Sequence, residues 1–421
     1  MPALTQSPRG TQDVLPSDSY KWQFLENRMR AVCSLYGYRE IRTPTFEHTE
    51  LFARGVGDST DVVDKEMYTF EDRGKRSITL RPEGTAGVVR ALVQAGSFSG
   101  PLPIRAYYII PCFRYEKPQS GRLREFHQLG IEMFGSKGPD ADFEVISTAR
   151  RILESLGISG VELNINSIGC PECRGVYRKA LIEYFEPHYD ELCDTCKERL
   201  YKNPMRILDC KEEKCQEIAA GAPLMLDYLC DDCREHFSKL RSMLDEAGVP
   251  YKVNPKIVRG LDYYTRTVFE FVYAGRKGLG TVCGGGRYDG LVKLLGGPDT
   301  PAVGFGLGIE RMISTMESEG IEIPEPAGPD IFLCCADEGA YAVSRKLSEE
   351  LRDLGISAMY DVDGRSLKAQ MKYADRTRAR YTAVIGGNEM QSGKIRVHNM
   401  ASKEDTECTL DAEAVSGAVR N

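Results

Sequence analysis

The sequence predicts an α+β core built on an antiparallel sheet, interrupted by a helical cysteine-rich insertion and followed by a C-terminal α/β domain. The core is indicated by residues 104–134, which read as two strands joined by a polar loop. The insertion is indicated by composition, because eight of the fourteen cysteines fall between residues 170 and 233 amid charged helical sequence. The last domain is indicated by alternating strand and helix patterns beyond residue 330.

Length, charge and hydropathy bound the class of protein. At 421 residues the chain is long enough for about three domains, and its net charge of −7 requires any RNA-binding surface to be local. No apolar run approaches the ~20 residues of a membrane span, and residues 1–6 lack the charged start and apolar stretch of a secretion signal. We therefore expect no membrane partner, a cytoplasmic location and reduced cysteines.

The first predicted element is an amphipathic helix. Ser17 is placed to cap it, apolar residues recur at three- and four-residue spacing between residues 22 and 36, and Gly37 follows. Residues 43–47 contain a proline, which disfavours a helix before it, so we expect an extended segment there.

A strand over residues 77–80 and a helix over 86–95 precede the predicted hairpin of residues 104–134. Period-two alternation places one set of hairpin side chains on a single face. That set is Arg114, Glu116, Phe126, Gln128, Gly130 and Glu132. A guanidinium beside carboxylates, an amide and a flat aromatic ring indicates a site for a nucleotide and a small molecule. A solvated sheet face explains the alternation equally well.

Strand patterns return after the cysteine-rich segment, at residues 268–273 and 303–305. The interrupted pattern predicts a core domain over residues 1–325 with an insertion at about 168–245. A proline-rich linker then leads into a separate domain over residues 330–421, where we expect a mostly parallel sheet.

Several short stretches carry a family resemblance. They are residues 9–16 (Arg-Gly-Thr-Gln-Asp-Val-Leu-Pro), 81–85 (Arg-Pro-Glu-Gly-Thr), 113–126 (Phe-Arg-Tyr-Glu, a loop and Arg-x-x-x-Phe), 259–264 (Arg-Gly-Leu-Asp-Tyr-Tyr), 284–290 (Gly-Gly-Gly-Arg-Tyr-Asp-Gly) and 304–311 (Gly-Phe-Gly-Leu-Gly-Ile-Glu-Arg). The third and the last resemble motifs 2 and 3 of class II aminoacyl-tRNA synthetases. The others, above all 259–264 and 284–290, resemble histidyl-tRNA synthetases. The resemblance implies a class II catalytic core and a C-terminal anticodon-binding domain.

The activity implied by this resemblance is that of a histidine–tRNA ligase. Such an enzyme joins L-histidine to ATP as histidyl-adenylate, releases pyrophosphate, and transfers the histidine to the 3′ end of its tRNA. The implied ligands are ATP with Mg²⁺, L-histidine and tRNA(His). The helix of residues 22–36 and the strand after it are implied to build a homodimer interface, although an ordinary core helix explains the same pattern. Without a Gly-x-x-x-x-Gly-Lys-Ser/Thr loop in the sequence, other groups are expected to hold ATP.

The resemblance also implies which residues bind ATP and catalyse the first step. The implied ATP-binding residues are Arg114 at the α-phosphate, Glu116 at the adenine amino group, Arg122 at the tail phosphates, and Phe126 and Arg311 on the two faces of adenine. Arg114 and Arg259 are the candidate catalytic residues, and Arg259 would stabilise charge on the reacting phosphorus where other class II enzymes use a metal. Arginine suits both roles because it stays charged and grips phosphate through two donors. A surface ion pair is the alternative for each.

A second set of residues is implied to recognise histidine. It comprises Glu132 and Tyr264 at the imidazole, Glu83, Thr85 and Gln128 at the ammonium group, and Tyr263 and Tyr288 beside them. A pocket that pairs both ring nitrogens rejects apolar amino acids, because its own polar groups would then go unpaired. For Tyr288, a core aromatic is an equally good interpretation.

The cysteines of the insertion fall in four close pairs. They are Cys170 and Cys173, Cys193 and Cys196, Cys210 and Cys215, and Cys230 and Cys233. Three of the pairs have the Cys-x-x-Cys spacing of zinc knuckles, and four pairs suffice for two tetrahedral sulfur sites. Because the cytoplasm disfavours disulfides, we expect structural zinc, with isolated buried thiols as the alternative. The pairs depart from the family pattern and lie outside its motifs, so a catalytic zinc is not expected.

Basic residues recur at three- and four-residue spacing in the last domain. They are Arg365, Lys368, Lys372, Arg376 and Arg380. Such a run is usually a solvated helix face. Its place in a domain that resembles an anticodon-binding domain favours contact with the tRNA backbone instead.

Two other functions compete with the ligase. One is the non-catalytic, synthetase-like regulatory subunit of ATP phosphoribosyltransferase, which would lack the last domain and several site residues. The other is a class II synthetase for another amino acid, against which the stretch at residues 261–264 argues. Histidine- and tRNA-dependent adenylate formation would separate all three.

Overall fold

The computed structural model describes residues 5–57, 62–118, 122–257, 261–275 and 280–420. The chain divides into two compact units, Met1–Ile323 and Pro324–Asn421. None of the helices in these ranges combines the length and apolar character that a membrane span requires.

The first unit combines strands and helices throughout its length. Its strands are β1 (Arg39–Glu40), β2 (Phe46–His48), β3 (Tyr68–Glu71), β4 (Ser77–Leu80), β5 (Ile104–Phe113), β6 (Glu125–Phe134), β7 (Val161–Ser167), β8 (Lys252–Val253), β9 (Thr265–Tyr273), β10 (Gly280–Arg287) and β11 (Ala302–Gly308). Its helices are α1 (Ser19–Leu35), α2 (Thr49–Val56), α3 (Thr85–Gln94), α4 (Pro139–Ser155), α5 (Pro171–Phe185), α6 (Asp194–Lys202), α7 (Glu213–Ala219), α8 (Asp231–Glu246), α9 (Leu291–Leu294) and α10 (Ile309–Glu319). Shorter helical turns lie at Val62–Glu66, Ser97–Ser99, Glu186–Glu191, Pro204–Ile207 and Met225–Tyr228.

Within the described ranges, eight strands form one large sheet in the order β1-β5-β6-β11-β10-β9-β7-β8. The strands from β5 to β7 in that order pair antiparallel, whereas β1 and β8 join the two edges in parallel. A smaller sheet has the order β2-β4-β3. The predicted α+β core on an antiparallel sheet is confirmed.

Helix α1 packs against α4 and α10, and its buried face belongs to the core of the first unit. Leu25, Met29 and Val32 are buried in the same core as Leu129 and Ile131 of β6, as the apolar spacing predicts. The expected cap is wrong by one residue: the helix begins at Ser19 after Asp18, and the Ser17 hydroxyl bonds to the Asp18 side chain instead. The dihedral angles of Asp18 are not extended, so the chain turns into the helix without a side-chain cap.

The cysteine-rich segment is helical, as predicted. Helices α5 to α7 enclose their own small core, which includes Tyr177, Leu181 and Phe185. Helix α8 returns to the main core through Leu240 and Leu244. The segment therefore has a core of its own, and its last helix also packs into the main core of the first unit.

The second unit carries one more sheet. Its strands are β12 (Ile331–Cys335), β13 (Ala358–Tyr360), β14 (Tyr381–Ile385), β15 (Lys394–Asn399) and β16 (Asp405–Thr409), and its helices are α11 (Ala340–Asp353), α12 (Leu367–Arg376), α13 (Gly387–Ser392) and α14 (Ala412–Arg420). The α/β class is confirmed, with β13, β12 and β14 parallel. Strands β14, β15 and β16 are antiparallel, so the sheet is less parallel than expected. The turn after Asn399 is too short for a crossover and permits only a hairpin.

Candidate active site

A cavity of about 1000 Å³ opens on one face of the large sheet. Strands β5, β6, β10 and β11, the start of α3, residues 261–264 and residues 193–212 of the insertion contribute to its lining. The predicted site residues that the structure brings together there are Glu83, Thr85, Arg114, Glu116, Arg122, Phe126, Gln128, Glu132, Tyr263, Tyr264, Tyr288 and Arg311. The predicted catalytic Arg259 lies outside the described residues.

The register of the β5–β6 hairpin determines which of its side chains reach this cavity. Gln128 and Glu132 lie opposite Ile110 and Ala106, and both project from the same face of β6. The predicted hairpin face extends beyond the strand, because β5 ends at Phe113 and Arg114 follows it. The Arg114 amide still donates to the Arg124 carbonyl at 2.8 Å, so the hairpin geometry continues although the strand has ended.

Three guanidinium groups meet in one part of the cavity. Arg114 donates from Nε to the Pro82 carbonyl at 2.8 Å, and its guanidinium carbon lies 5.3 Å from the centre of the Phe126 ring. Arg122 pairs with Glu116 at 3.1 Å. Burial lowers the pKa of Arg311, and the positive charges of Arg122 and Arg114 lower it further. A bound anion would relieve this mutual repulsion, so the region suits phosphate.

Glu132 forms the centre of a second, buried part of the cavity. Its side chain is 1% exposed. One carboxylate oxygen accepts a bond of 2.7 Å from the Thr85 hydroxyl and one of 3.4 Å from Tyr108, and the other accepts from the Tyr288 hydroxyl. Burial raises the pKa of Glu132 to about 8, against the opposing effect of these hydrogen bonds. A carboxyl in this state can both accept and give a proton near neutral pH.

Glu83 lies close by but already has partners. Its carboxylate accepts from the backbone amides of Thr85 at 2.7 Å and Ala86 at 2.9 Å, at the start of α3. Burial raises its pKa, although both amides favour the charged form. Glu83 therefore anchors the helix that carries Thr85 into the pocket, and it also lines the cavity.

Aromatic rings close one side of the pocket. The ring centres of Tyr263 and Tyr264 lie 4.8 Å apart, and those of Tyr263 and Tyr288 lie 5.5 Å apart. Tyr288 is 1% exposed yet directs its hydroxyl at Glu132. It therefore combines the core position and the pocket position that the sequence left open.

The glycines of β11 make room for the two polar side chains of β6. A Cβ atom at Gly304 would lie 2.1 Å from Glu132 Oε2, and one at Gly306 would lie 2.3 Å from Gln128 Nε2. Both glycines pair directly with the facing strand, Gly304 opposite Glu132. Their role is close approach of a neighbouring strand to functional side chains.

Other lining residues were not found from the sequence. Tyr108 reads as a core residue of β5, but its register opposite Gly130 directs its hydroxyl to Glu132. Its position on the same face as Ile110 and Ala106 was the available signal. Arg206 and Lys211 come from the insertion, and no local pattern there indicates that the segment reaches the cavity.

The eight predicted cysteines gather into two groups with the donor atoms for a metal ion. The near cluster is Cys193, Cys196, Cys210 and Cys215, and the far cluster is Cys170, Cys173, Cys230 and Cys233. In each group the four sulfur atoms lie within 4.8 Å of one another. Cys193 and Cys210 of the near cluster also line the cavity.

The predicted basic stripe of the second unit is only partly a helix face. Lys368, Lys372 and Arg376 are exposed on α12. Arg365 precedes the helix and pairs with the buried Asp361 at 3.2 Å, whereas Arg380 follows it and pairs with an aspartate of the same unit at 2.9 Å. The three helical residues form the continuous part of the stripe.

Comparisons with known proteins identify the family of this chain. The family model described as histidyl-tRNA synthetase matches residues 10–177 and 200–312, and that of an anticodon binding domain matches 330–421. Relatives named histidine–tRNA ligase from Caldanaerobacter subterraneus subsp. tengcongensis and Acetivibrio thermocellus are 55% and 53% identical, over 99% and 97% of this chain and 100% and 98% of their own length. The crystal structure of apo S. aureus histidyl-tRNA synthetase is 40% identical, with a TM-score of 0.85 over 99% of this chain and 100% of that chain. The family model matches more than half of this chain, and the first of these relatives is 55% identical over 99% of it. The chain therefore belongs to the histidyl-tRNA synthetase family.

Proposed function

We infer that this protein is a histidine–tRNA ligase, which activates L-histidine with ATP and transfers it to the 3′ end of tRNA(His). The observation that carries the inference is one cavity that joins a three-arginine region to a buried pocket around Glu132. The first suits the phosphates of ATP and the second suits a polar ring such as imidazole. Full-length relatives named histidine–tRNA ligase support this function over that of a regulatory subunit.

The arginine region is our proposed site of adenylate formation. Arg114 would align the α-phosphate with the carboxylate of histidine, and Phe126 and Arg311 would hold adenine between them. Displacement at phosphorus asks a protein mainly for alignment and charge stabilisation, which preorganised guanidinium groups provide. Arg122 and Glu116 would contact the outer phosphates and the adenine amino group.

ATP would enter as its magnesium complex. The carboxylate of Glu310 lines the same cavity and is an oxygen donor of the kind that Mg²⁺ prefers. Mg²⁺ would neutralise charge on the phosphates of ATP.

We propose Arg259 as the main catalytic residue of this step. Its nearest described neighbours along the chain, Ile257 and Leu261, both line the cavity. A guanidinium there would stabilise the charge that develops on the α-phosphorus.

The Glu132 pocket would recognise the histidine side chain. Glu132 and Tyr264 would pair with the two ring nitrogens, while Glu83, Thr85 and Gln128 would surround the ammonium group. Tyr263 and Tyr288 would exclude water from the ring. An amino acid without ring nitrogens would leave the buried Glu132 without its partner, which costs about 1–3 kcal/mol or more.

We further propose that the protein works as a homodimer. Leu35 at the end of α1, Phe46 on β2 and Phe70 on β3 are 76%, 55% and 48% exposed. Phe46 and Phe70 lie on two strands of the same small sheet, and large apolar side chains exposed on one sheet indicate a surface that a partner covers. The molar mass of the protein in solution measures this directly.

The remaining ligands complete the proposal. Lys368, Lys372 and Arg376, together with the flanking Arg365 and Arg380, would contact the tRNA backbone. Zinc held by the two cysteine clusters would serve as a structural metal, because four thiolates favour zinc in a closed tetrahedral site. Charging of tRNA implies a cytoplasmic location.

The test of the function is exchange of labelled pyrophosphate into ATP by purified protein, with each amino acid supplied in turn. Histidine alone should support exchange, and tRNA(His) should then accept histidine in a second assay. Exchange that depends on another amino acid would contradict the assigned substrate. Protein that never supports exchange, yet binds a partner enzyme, would favour the regulatory function.

A further inference from the structure

The near cluster adjoins the cavity, whereas the far cluster does not line it. Cys193 and Cys210 belong to the lining together with Lys211. Among the described lining residues, none belongs to the far cluster. The two potential metal sites therefore differ in their relation to the substrates.

The chain between Cys196 and Cys210 forms a wall of the cavity. Arg199 and Arg206 line it, and the Arg199 guanidinium donates to the Arg206 carbonyl at 3.4 Å. Arg206 is only 9% exposed although its side chain is charged. We call residues 199–211 the basic wall, because Arg199, Arg206 and Lys211 outnumber the one carboxylate of this range that lines the cavity, that of Asp209.

The basic wall also contacts the stretch that carries the histidine-specific tyrosines. The Asn203 side-chain amide donates to Asp262 Oδ1 at 3.1 Å. The Asp262 backbone amide is in turn bonded to the Val56 carbonyl at 3.1 Å. The position of the wall is thus coupled to the loop that leads into Tyr263.

The sulfur geometry of both clusters fits a tetrahedral ion. For zinc–sulfur bonds of about 2.3 Å, neighbouring sulfurs of a tetrahedron lie roughly 3.8 Å apart. The Sγ atoms of Cys193 and Cys210 are 3.9 Å apart, as are those of Cys170 and Cys230. The Cys193 amide also donates to Cys215 Sγ at 3.3 Å.

The near cluster is the point where separate segments of the wall are joined. Cys193 immediately precedes α6, Cys196 lies within it, Cys210 follows the Pro204–Ile207 turn, and Cys215 lies on α7. Four thiols form only weak hydrogen bonds with one another, so without an ion they would hold these segments loosely. An ion bonded to all four would fix the wall between Cys196 and Cys210 at both ends.

We propose that zinc bound by the near cluster positions the basic wall against phosphate groups in the cavity, so that steps involving those phosphates depend on the metal. The cysteines act as positioning residues and contact no substrate. The phosphates belong either to ATP or to the 3′ end of the tRNA, and both present the same anionic oxygens. This proposal rests on the ligase function and on the zinc sites proposed above.

Metal content of the full-length protein is the first test. Wild-type protein should carry two equivalents of zinc, and Cys210→Ser and Cys230→Ser should each carry one. Cys408 belongs to the second unit and to neither cluster, so Cys408→Ser should keep both zinc ions. Iron in place of zinc, or unchanged zinc in Cys210→Ser, would overturn the proposal.

Kinetics then test the positioning role. Cys210→Ser should impair one of two steps: it should raise KM for ATP in pyrophosphate exchange, or it should slow transfer from preformed histidyl-adenylate to tRNA. The expected change is about tenfold, which is equivalent to about 1.4 kcal/mol. A change in the first assigns the wall to the phosphates of ATP, and a change in the second alone assigns it to those of tRNA. Cys230→Ser, which removes a ligand from the far cluster, should change both much less.

Two further variants separate positioning from loss of folding. Cys210→His preserves a permitted zinc ligand and should restore both the zinc and the kinetic constants. Lys211→Ala should keep two zinc ions but shift the same kinetic constant as Cys210→Ser. If Lys211→Ala has no kinetic effect, or if Cys210→Ser and Cys230→Ser are equally impaired, the wall has no such role. Wild-type protein without histidine-dependent exchange would instead contradict the ligase function.

Discussion

The proton on Glu132 links the histidine pocket to pH. Burial raises the pKa of this carboxyl to about 8, so the empty pocket holds a proton at neutral pH. A neutral imidazole can take up that proton and form an ion pair with no net exchange with solvent. Above a pH of about 8 binding requires proton uptake, and below about 6.5 free histidine already carries its ring proton, so binding requires proton release.

We therefore expect histidine to bind most tightly between these two pH values and to lose about tenfold in affinity per pH unit on either side. Calorimetric titration in buffers of different ionisation enthalpy measures the affinity and the protons exchanged. Glu132→Gln should weaken binding and remove the loss of affinity that this carboxyl causes at alkaline pH. If the variant keeps the full alkaline loss, the α-amino group of the ligand is responsible and Glu132 has another role.

Arg259 is the residue on which the rate of activation depends most. Arg259→Ala should lower the turnover of pyrophosphate exchange by ~10²–10³-fold, as loss of one preorganised donor typically does. KM for histidine should change little, because Glu132 and Tyr264 remain. Exchange at a near-normal rate in a folded variant would assign the charge stabilisation to Arg114 or Arg311.

At the scale of single residues, the sequence predicted a side chain's place in the site where alternation along a strand decides which face it lies on. Gln128 and Glu132 share a face of β6 and both reach the cavity. Tyr108 was missed because an aromatic residue on a central strand has the same local pattern whether its hydroxyl meets solvent, core or ligand. Only the register with Gly130 reveals that the ring crosses toward Glu132.

The shape of the histidine pocket depends on the close approach of strand β11 to strand β6. In Gly304→Ala the new Cβ would lie 2.1 Å from Glu132 Oε2 and 2.3 Å from the Ile131 carbonyl. We expect KM for histidine to rise more than KM for ATP, and the free energy of unfolding to fall by about 1–3 kcal/mol. Gly290→Ala is the matched control, because the Cβ there has open space within 4 Å. Equal kinetics in both variants would show that the two strands adjust freely.

Elements were predicted well where the sequence pattern is local. The hairpin, α1 and the helical insertion were all found, because apolar spacing of period two or near four is set within a few residues. The basic wall at residues 199–211 was not found, since its contact with the cavity depends on tertiary packing of the insertion. The hairpin of β15 and β16 was not predicted. In a domain where strands and helices alternate, a helix is expected between two strands, but a short turn joins these two.

At the scale of the whole molecule, tRNA recognition is expected to involve the second unit. Lys368→Ala with Lys372→Ala removes two exposed charges from α12. KM for tRNA(His) should rise, the salt dependence of binding should weaken by about one unit of slope per lysine, and pyrophosphate exchange should not change. Arg345→Ala with Lys346→Ala removes the same charge from exposed positions of α11. If that control weakens tRNA binding equally, the effect is one of net charge alone.

The family was within reach of the sequence. The motifs near residues 83, 114, 264 and 311 are far apart in the chain, yet all converge on one cavity of the large sheet. Their convergence was implied by resemblance rather than by composition or periodicity, which say nothing about long-range pairing. Strand order is set by such pairing and so required the structure.

The most direct measurement of the central claim is a crystal structure with a non-hydrolysable analogue of histidyl-adenylate. The imidazole should lie within hydrogen-bond distance of Glu132 and Tyr264, the adenine should lie against Phe126, and the group that replaces the phosphate should contact Arg114. A ligand bound with its imidazole away from Glu132, or with adenine in the Glu132 pocket, would contradict the proposed division of the cavity.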